Sequence, residues 1–206
     1  MSVKYGKFEM PQKIIVKQKS VEGNRAVYVA EPFERGFGHT LGNALRRILL
    51  SSLEAPALIS IRMDGAFHEY MPAEGIIEDV TNIILNFKGA LLRKLPAEEE
   101  AHSRDTKITT KVVEVTQEDL DRNAGQYCVT LKDVIKEGSF EIINPDLHLF
   151  TVTKPMKKQV DLKIAFGRGY VPSERHVVND KTSDEILIDS AFSPVNLANY
   201  YVENTR

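Results

Sequence analysis

The stretch that decides the fold is RGFGHTLGNALRRILLSSL, residues 35–53. Gly36 and Gly38 are spaced for a turn, and an uninterrupted helical pattern follows from about Thr40 to Ser52. Thr40 suits an N-cap, because its hydroxyl can accept a free backbone N–H of the first turn. Leu41, Ala44, Leu45, Ile48 and Leu49 recur at helical spacing and form one apolar stripe. At about 100° per residue, Asn43, Arg46, Arg47 and Leu50 fall on the other side. Leu50 there reads either as a scattered surface leucine or as part of a second working face. In the second case one face serves the chain's own fold and the other a partner.

Working outward from this helix, Ile14-Ile15-Val16 and Ala26-Val27-Tyr28-Val29 are strand candidates, joined by the turn residues Glu22-Gly23-Asn24. They predict a hairpin packed beside the helix. Pro56 marks a boundary after it. Ala57–Met63 alternates as a strand, Asp64-Gly65 is a turn pair, and Ala66–Tyr70 reads as a return strand. A second helix is predicted over Glu74–Phe87, with Ile76, Val80, Ile83, Ile84 and Phe87 on its apolar face. Acidic residues in its first turns and Gly89 beyond its end agree with this. Lys88 stands at that C-terminal end, where a cation is favoured, and alone it reads as no more than a helix-end charge.

Leu95–Thr106 is polar and acidic and reads as a solvated loop. Strands are predicted at 107–116, 126–131, 140–143 and 147–153. Val160, Leu162, Ile164 and Phe166 alternate with Asp161, Lys163 and Ala165 as a half-buried strand that runs into Phe166-Gly167-Arg168-Gly169-Tyr170-Val171-Pro172. Ile186–Asp189 and Val195–Val202 are further strand candidates, with Ser193-Pro194 a turn. Two helices among many strands, with no repeat, place the chain in the α+β class.

The bulk properties exclude some functions. Net charge is −2, from 27 basic and 29 acidic residues, so nothing in the balance advertises a nucleic-acid coat or an anionic membrane partner. A single cysteine, Cys128, rules out an internal disulfide and fits a reducing cytosol. Its strand-like context predicts a small core residue. No apolar run approaches a membrane span, and the N-terminus lacks the apolar core of a signal peptide. The sequence therefore reads as cytoplasmic.

The motifs that carry chemistry are missing. Gly36, Gly38 and Gly42 do not match the dinucleotide fingerprint, because Leu41 stands where its third glycine belongs. No Gly-Lys-Ser/Thr follows, which excludes a phosphate-cradling loop of that type. The five histidines form no metal-ligand spacing with each other or with Cys128. Ser51, Ser52 and Ser193 lack a nucleophile elbow. Glu118, Asp119 and Asp121 could suggest a carboxylate cluster but read as a solvated helix start or turn. Gly167-Arg168-Gly169-Tyr170 reads as a tight structural turn in preference to an RNA-contacting tip. Arg35, Arg46 and Arg47 could meet phosphate, but Leu50 beside Arg46 and Arg47 favours a mixed apolar–arginine protein interface. No catalytic residue, metal site or cofactor is expected.

The helix stretch resembles the signature of the bacterial DNA-directed RNA polymerase alpha subunit, in its N-terminal assembly domain. The resemblance extends to Glu31–Thr40, Asp64–Tyr70, Glu74–Asp79, Leu85–Gly89, Val129–Asp133, Gly167–Pro172 and Asp189–Val195, in the family's order. Leu131 departs from the family's pattern, and roughly Pro96–Gln126 is longer and more divergent. The resemblance implies two α+β subdomains, the second inserted into the first. Residues 1–54 and 174–206 would form the dimerisation subdomain and residues 55–173 the insert. It implies a homodimer that docks the beta and beta-prime subunits and meets DNA only through the assembled enzyme, with no membrane partner. It implies large-subunit contacts at Arg47, Leu50, Lys88 and Val171. The dimer interface would comprise Phe37, Leu41, Leu45, Ile48 and Leu49. The family continues past Tyr201-Val202-Glu203 with a strand, a long helix contributing to that interface, a linker and a C-terminal domain. This sequence ends at Arg206 and reads as a fragment or a shortened product.

Overall fold

Alternation of buried and half-buried side chains builds the main sheet of the protein, which we describe from a computed structural model covering residues 6, 8–20, 24–94, 106–135, 140–178 and 182–204. Its centre is a long strand at Met156–Val171. Val160, Leu162 and Ile164 are fully buried along one face of it, as a period of two requires. Two compact units are present: Met1–Leu50 with Val195–Arg206, and Ser51–Pro194.

In chain order the first unit holds strands β1 (Ile14–Lys19) and β2 (Ala26–Ala30) and helix α1 (Phe37–Ser51). The strands pair antiparallel, as the sequence predicts, with a register shift between Val16 and Gln18. The second unit holds β3 (Glu54–Met63), α2 (Val80–Lys88), β4 (Leu92–Lys94), β5 (Lys107–Val115) and α3 (Gln117–Arg122). It continues with β6 (Tyr127–Thr130), α4 (Leu131–Val134), β7 (Phe140–Ile142), β8 (His148–Val152), β9 (Met156–Val171), β10 (Ile186–Leu187) and β11 (Ser190–Phe192). The large sheet has the order β10-β3-β9-β11, with β5 also paired to β9. All of its pairings are antiparallel. β3 lies along one edge of β9, while β5 and β11 follow one another along the other. Two-stranded pairs β4-β7 and β6-β8 complete the unit. This mixture of helices and sheets is the α+β class expected from the sequence.

The core of the second unit is apolar and continuous. Ile83 and Phe87 of α2, Val129 of β6, Leu131 and Val134 of α4, and Leu149, Phe150 and Val152 of β8 pack with the inward face of β9. Each such side chain contributes about 1.5–3 kcal/mol by leaving water. Charge on the outward face of β9 is matched across strands. Asp161 stands opposite Arg62 in register, with an N···O distance of 3.4 Å. Lys163 meets Glu185 at 2.7 Å.

Several elements depart from the sequence reading. α1 begins at Phe37, so Thr40 lies inside the helix and is not its N-cap. Only Gly36 keeps the turn role, at φ +91°. The stripe read as facing the chain's own fold is largely exposed, with Leu41 partly covered, and α1 has no buried residue. Pro56 lies within β3, opposite Phe166. The return strand expected at Ala66–Tyr70 reduces to one bridge between Ala66 and Met63.

The second helix starts at Val80, not Glu74, capped by the Asp79 carboxylate, which accepts from Asn82 N at 2.9 Å. Residues 74–79 are drawn instead to β8: the Glu78 carboxylate accepts from Thr151 N at 2.7 Å, and Ile77 N donates to Thr151 O at 3.0 Å. The expected tight turn at Gly167–Tyr170 is strand, because β9 continues through it against Glu54, Ala55 and β11. Residues 195–202 have no regular element. The Leu95–Thr106 loop falls outside the described residues except for Thr106.

Candidate functional site

α1 carries the first group of candidate residues. Phe37, Leu45, Ile48 and Leu49 are 41, 53, 51 and 40% exposed, far above what a core stripe shows. Leu41 is partly covered. The strands of the same unit add Ile14, Ile15 and Tyr28 to the exposed apolar surface. Exposed apolar side chains therefore recur on both the helix and the hairpin of this unit. Arg47 is exposed on the helix, and Leu50 is partly covered.

A different row of α1 binds the chain's own C-terminal segment. Gly38, Gly42 and Arg46 follow one another at four-residue spacing and so share a face. A Cβ at Gly42 would lie 2.4 Å from the Tyr200 ring, and one at Gly38 would lie 3.1 Å from Val202. Arg46 Nε donates to Ala198 O at 2.9 Å. The glycines therefore admit a close crossing of the helix, a use that the turn reading of the sequence missed.

Lys88 and Val171 belong to the second unit, and one carboxylate links their surroundings. Lys88 Nζ meets Asp189 Oδ2 at 3.2 Å. The other oxygen, Asp189 Oδ1, accepts from Ser173 N at 2.9 Å. Ser173 lies two residues beyond Val171, which is itself paired with Ser190. The Ser173 amide first, and then Lys88, hold the Asp189 carboxyl well down, from 3.8 to about 2. Tyr170 is 65% exposed beside this group. Partial desolvation and then the Asp189 charge push its hydroxyl above the ordinary phenol range. Asp189 was not singled out by its sequence context, and only the strand pairing reveals it.

Two further constellations bring polar groups together. Cys128 is exposed, not buried as the sequence suggested, because the alternation of β6 turns Val129 inward. Its sulfur lies 3.0 Å from His148 Nδ1, and His148 Nε2 lies 2.9 Å from Glu78 Oε1. Glu78 as acceptor assigns the ring proton to Nε2 and leaves Nδ1 to accept from the thiol. Burial, then Glu78 and Asp133, push the Cys128 thiol up. The group is therefore a protonated thiol at neutral pH and not an activated nucleophile. A cavity of about 190 Å³ is lined by Ser60, Arg62, Asp161, Lys163 and Glu185 among others. Its charges pair with each other, and the Ser60 hydroxyl donates to Glu185. It reads as a polar clamp on β10.

Arg46, considered for phosphate contact, donates to Ala198 O, and Arg168 pairs with Glu54 at 2.7 Å. Among the described residues, no three His, Cys, Asp or Glu side chains could hold a metal ion. None of the described helices is long and apolar enough to cross a membrane.

A family model described as the RNA polymerase Rpb3/RpoA insert domain matches residues 59–193. The chain is 78% identical over 206 residues to a DNA-directed RNA polymerase subunit alpha of Protochlamydia amoebophila, covering 100% of this chain and 55% of that protein. It is 37% identical to the protein of the same name from Geobacter metallireducens, covering 95% of this chain and 53% of that one. It is 39% identical to that of Chlorobium phaeobacteroides, covering 96% and 56%. The chain thus spans about half the length of the curated relatives it matches.

Proposed function

The chain belongs to the RNA polymerase Rpb3/RpoA insert-domain family, and from that premise we propose that it is a non-catalytic assembly subunit of DNA-directed RNA polymerase. It dimerises with a second copy and docks the beta and beta-prime subunits, and it acts in the cytoplasm as part of that complex. Nucleotidyl transfer belongs to the assembled enzyme, and DNA is met through it. Residues 1–54 with 174–206 serve dimerisation, and residues 55–173 are the insert.

The observation that carries this reading is the uncovered stripe of α1. A helix with an apolar stripe and no buried residue is a poor element of a monomer's core. The same face fits an interface core, where apolar groups with arginine at the margin supply most of the binding energy. Phe37, Leu41, Leu45, Ile48 and Leu49 are assigned to the second copy. Arg47 and Leu50 are assigned to a large subunit, and Lys88 and Val171 to the large subunits from the second unit.

Co-purification of the chain with beta and beta-prime tests this assignment. Arg47→Glu combined with Leu50→Ala should remove the large subunits from the purified material while leaving the melting temperature of the chain in place. Retention of both large subunits by that variant would overturn the assigned contact face.

A further inference from the structure

The carboxylate between Lys88 and Ser173 has a role that packing alone does not require. Asp189 sits in the link between β10 and β11, and its two oxygens engage two different elements. Oδ2 takes the ammonium of Lys88 at the C-terminal end of α2. Oδ1 takes the backbone N–H of Ser173, where the chain leaves β9. Both side chains of the ion pair are about one-third exposed, at 34% for Lys88 and 36% for Asp189, so the pair is open to solvent and to a partner.

We propose that Asp189 is a positioning residue of the large-subunit docking surface, fixing the Lys88 ammonium and the strand end that carries Tyr170 and Val171 as one preformed patch. The inference rests on the docking reading given above. The physical reason is preorganisation. A lysine side chain free in water loses rotamer freedom when it is captured at an interface, and a restraint made before binding removes part of that cost. The Ser173 amide makes the restraint rigid, because a carboxylate already fixed by a backbone donor cannot follow the lysine into alternative rotamers. Asp189 remains ionised throughout the neutral range, since its carboxyl titrates at about 2.

The pair also sets the chemistry of the partner. Lys88 and Asp189 cancel in net charge, with the exposed Tyr170 ring alongside. The complementary surface is a carboxylate or backbone carbonyl reaching the remaining ammonium hydrogens, next to an apolar or planar group on Tyr170. A strongly acidic surface is not required.

A double-mutant cycle on binding of the chain to the beta and beta-prime subunits tests the proposal. Asp189→Asn is the informative variant, because its side-chain oxygen can still accept from Ser173 N while the charge is lost. Lys88→Ala and Asp189→Asn should each weaken binding by about threefold, in the range of a partly exposed charge pair, and the double variant should be no weaker than Lys88→Ala alone. The Ser173 amide resonance, followed by NMR in the chain alone, reports whether the strand end is held in each variant.

If Lys88→Ala weakens binding and Asp189→Asn does not, the positioning role is overturned while the docking reading stands. If Asp189→Asn weakens binding equally with and without Lys88, Asp189 acts by another route and the proposal is again overturned. If Lys88→Ala itself leaves binding unchanged, the assignment of Lys88 to the docking surface fails and takes the proposal with it.

Discussion

Arg46 Nε donates a 2.9 Å hydrogen bond to the carbonyl of Ala198, joining helix α1 to a segment 152 residues further along the chain. With Gly38 and Gly42 on the same helical row, it fixes the crossing of Ala198–Val202 over α1. The row gives α1 a face occupied within the chain, distinct from its exposed apolar stripe.

Gly42→Ala should displace Tyr200. Alanine is favoured over glycine inside a helix by about 0.5–1 kcal/mol, so the helix itself gains. The added methyl would still lie 2.4 Å from the ring, which must move. Faster amide hydrogen exchange at 198–202 is the expected outcome, with unchanged exchange along α1. Gly38→Ala, which meets only the Val202 methyls at 3.1 Å, should have the smaller effect.

Leu45→Ala separates an interface residue from a core residue. Leu45 is 53% exposed, so its truncation should change chain stability by no more than about 0.5 kcal/mol in chemical denaturation at a concentration low enough to keep the chain monomeric. Phe87→Ala is the contrasting case. That ring is fully buried, and its loss should cost about 3–5 kcal/mol. A large loss at Leu45 would place the stripe in a core and contradict the interface reading.

Much of this was legible in the sequence. The hairpin follows from two apolar runs about a turn, the strands predicted at 107–116, 126–131 and 147–153 from strand-like composition, and the centre of β9 from period-two patterning. The apolar positions Val80, Ile83, Ile84 and Phe87 were identified as one buried face. What escaped was set by tertiary partners. Residues 74–79 carry helical periodicity, but Glu78 and Ile77 gain hydrogen bonds to β8 that a helical turn there would forfeit. Gly42 carried no packing signal because sequence cannot show Tyr200 lying across it. Cys128 was assigned to the core because one residue of phase in β6 decides which neighbour faces inward. The pairing of Asp189 with Lys88 and Ser173 was not legible because these partners are distant in sequence. The exposure of the α1 stripe was equally invisible, since an interface face and a core face share one pattern.

Asp189 sets a pH dependence. Its carboxyl is lowered from 3.8 to about 2 in the folded chain, so the folded state binds fewer protons than the unfolded state between those values. The contribution to stability is therefore fully present above about pH 4 and is lost as pH falls toward 2. Asp189→Asn should remove this component from the acid limb of a stability–pH profile. Direct titration of the Asp189 carboxyl by NMR should give a midpoint well below that of an ordinary aspartate.

Glu78→Ala should release the segment before α2. The Thr151 amide and hydroxyl, at 2.7 and 3.0 Å, lose their acceptor, as does His148 Nε2. Leaving a partly buried donor unsatisfied costs about 1–3 kcal/mol. The Glu78 carboxyl is held low because hydrogen bonds from Thr151 and His148 outweigh a burial effect that acts to raise it. Its contribution is present above the ordinary glutamate range and is lost as pH falls through the lowered value. Loss of stability at neutral pH, with faster exchange at Ile77, is the expected outcome.

The most direct test of the assembly role is velocity sedimentation of the chain mixed with beta and beta-prime, with each protein carrying a distinct absorbance label. The expected result is one fast boundary holding all three proteins, with two copies of this chain for each large subunit. A chain that sediments alone at its own slow rate, with the large subunits present in excess, would contradict the account.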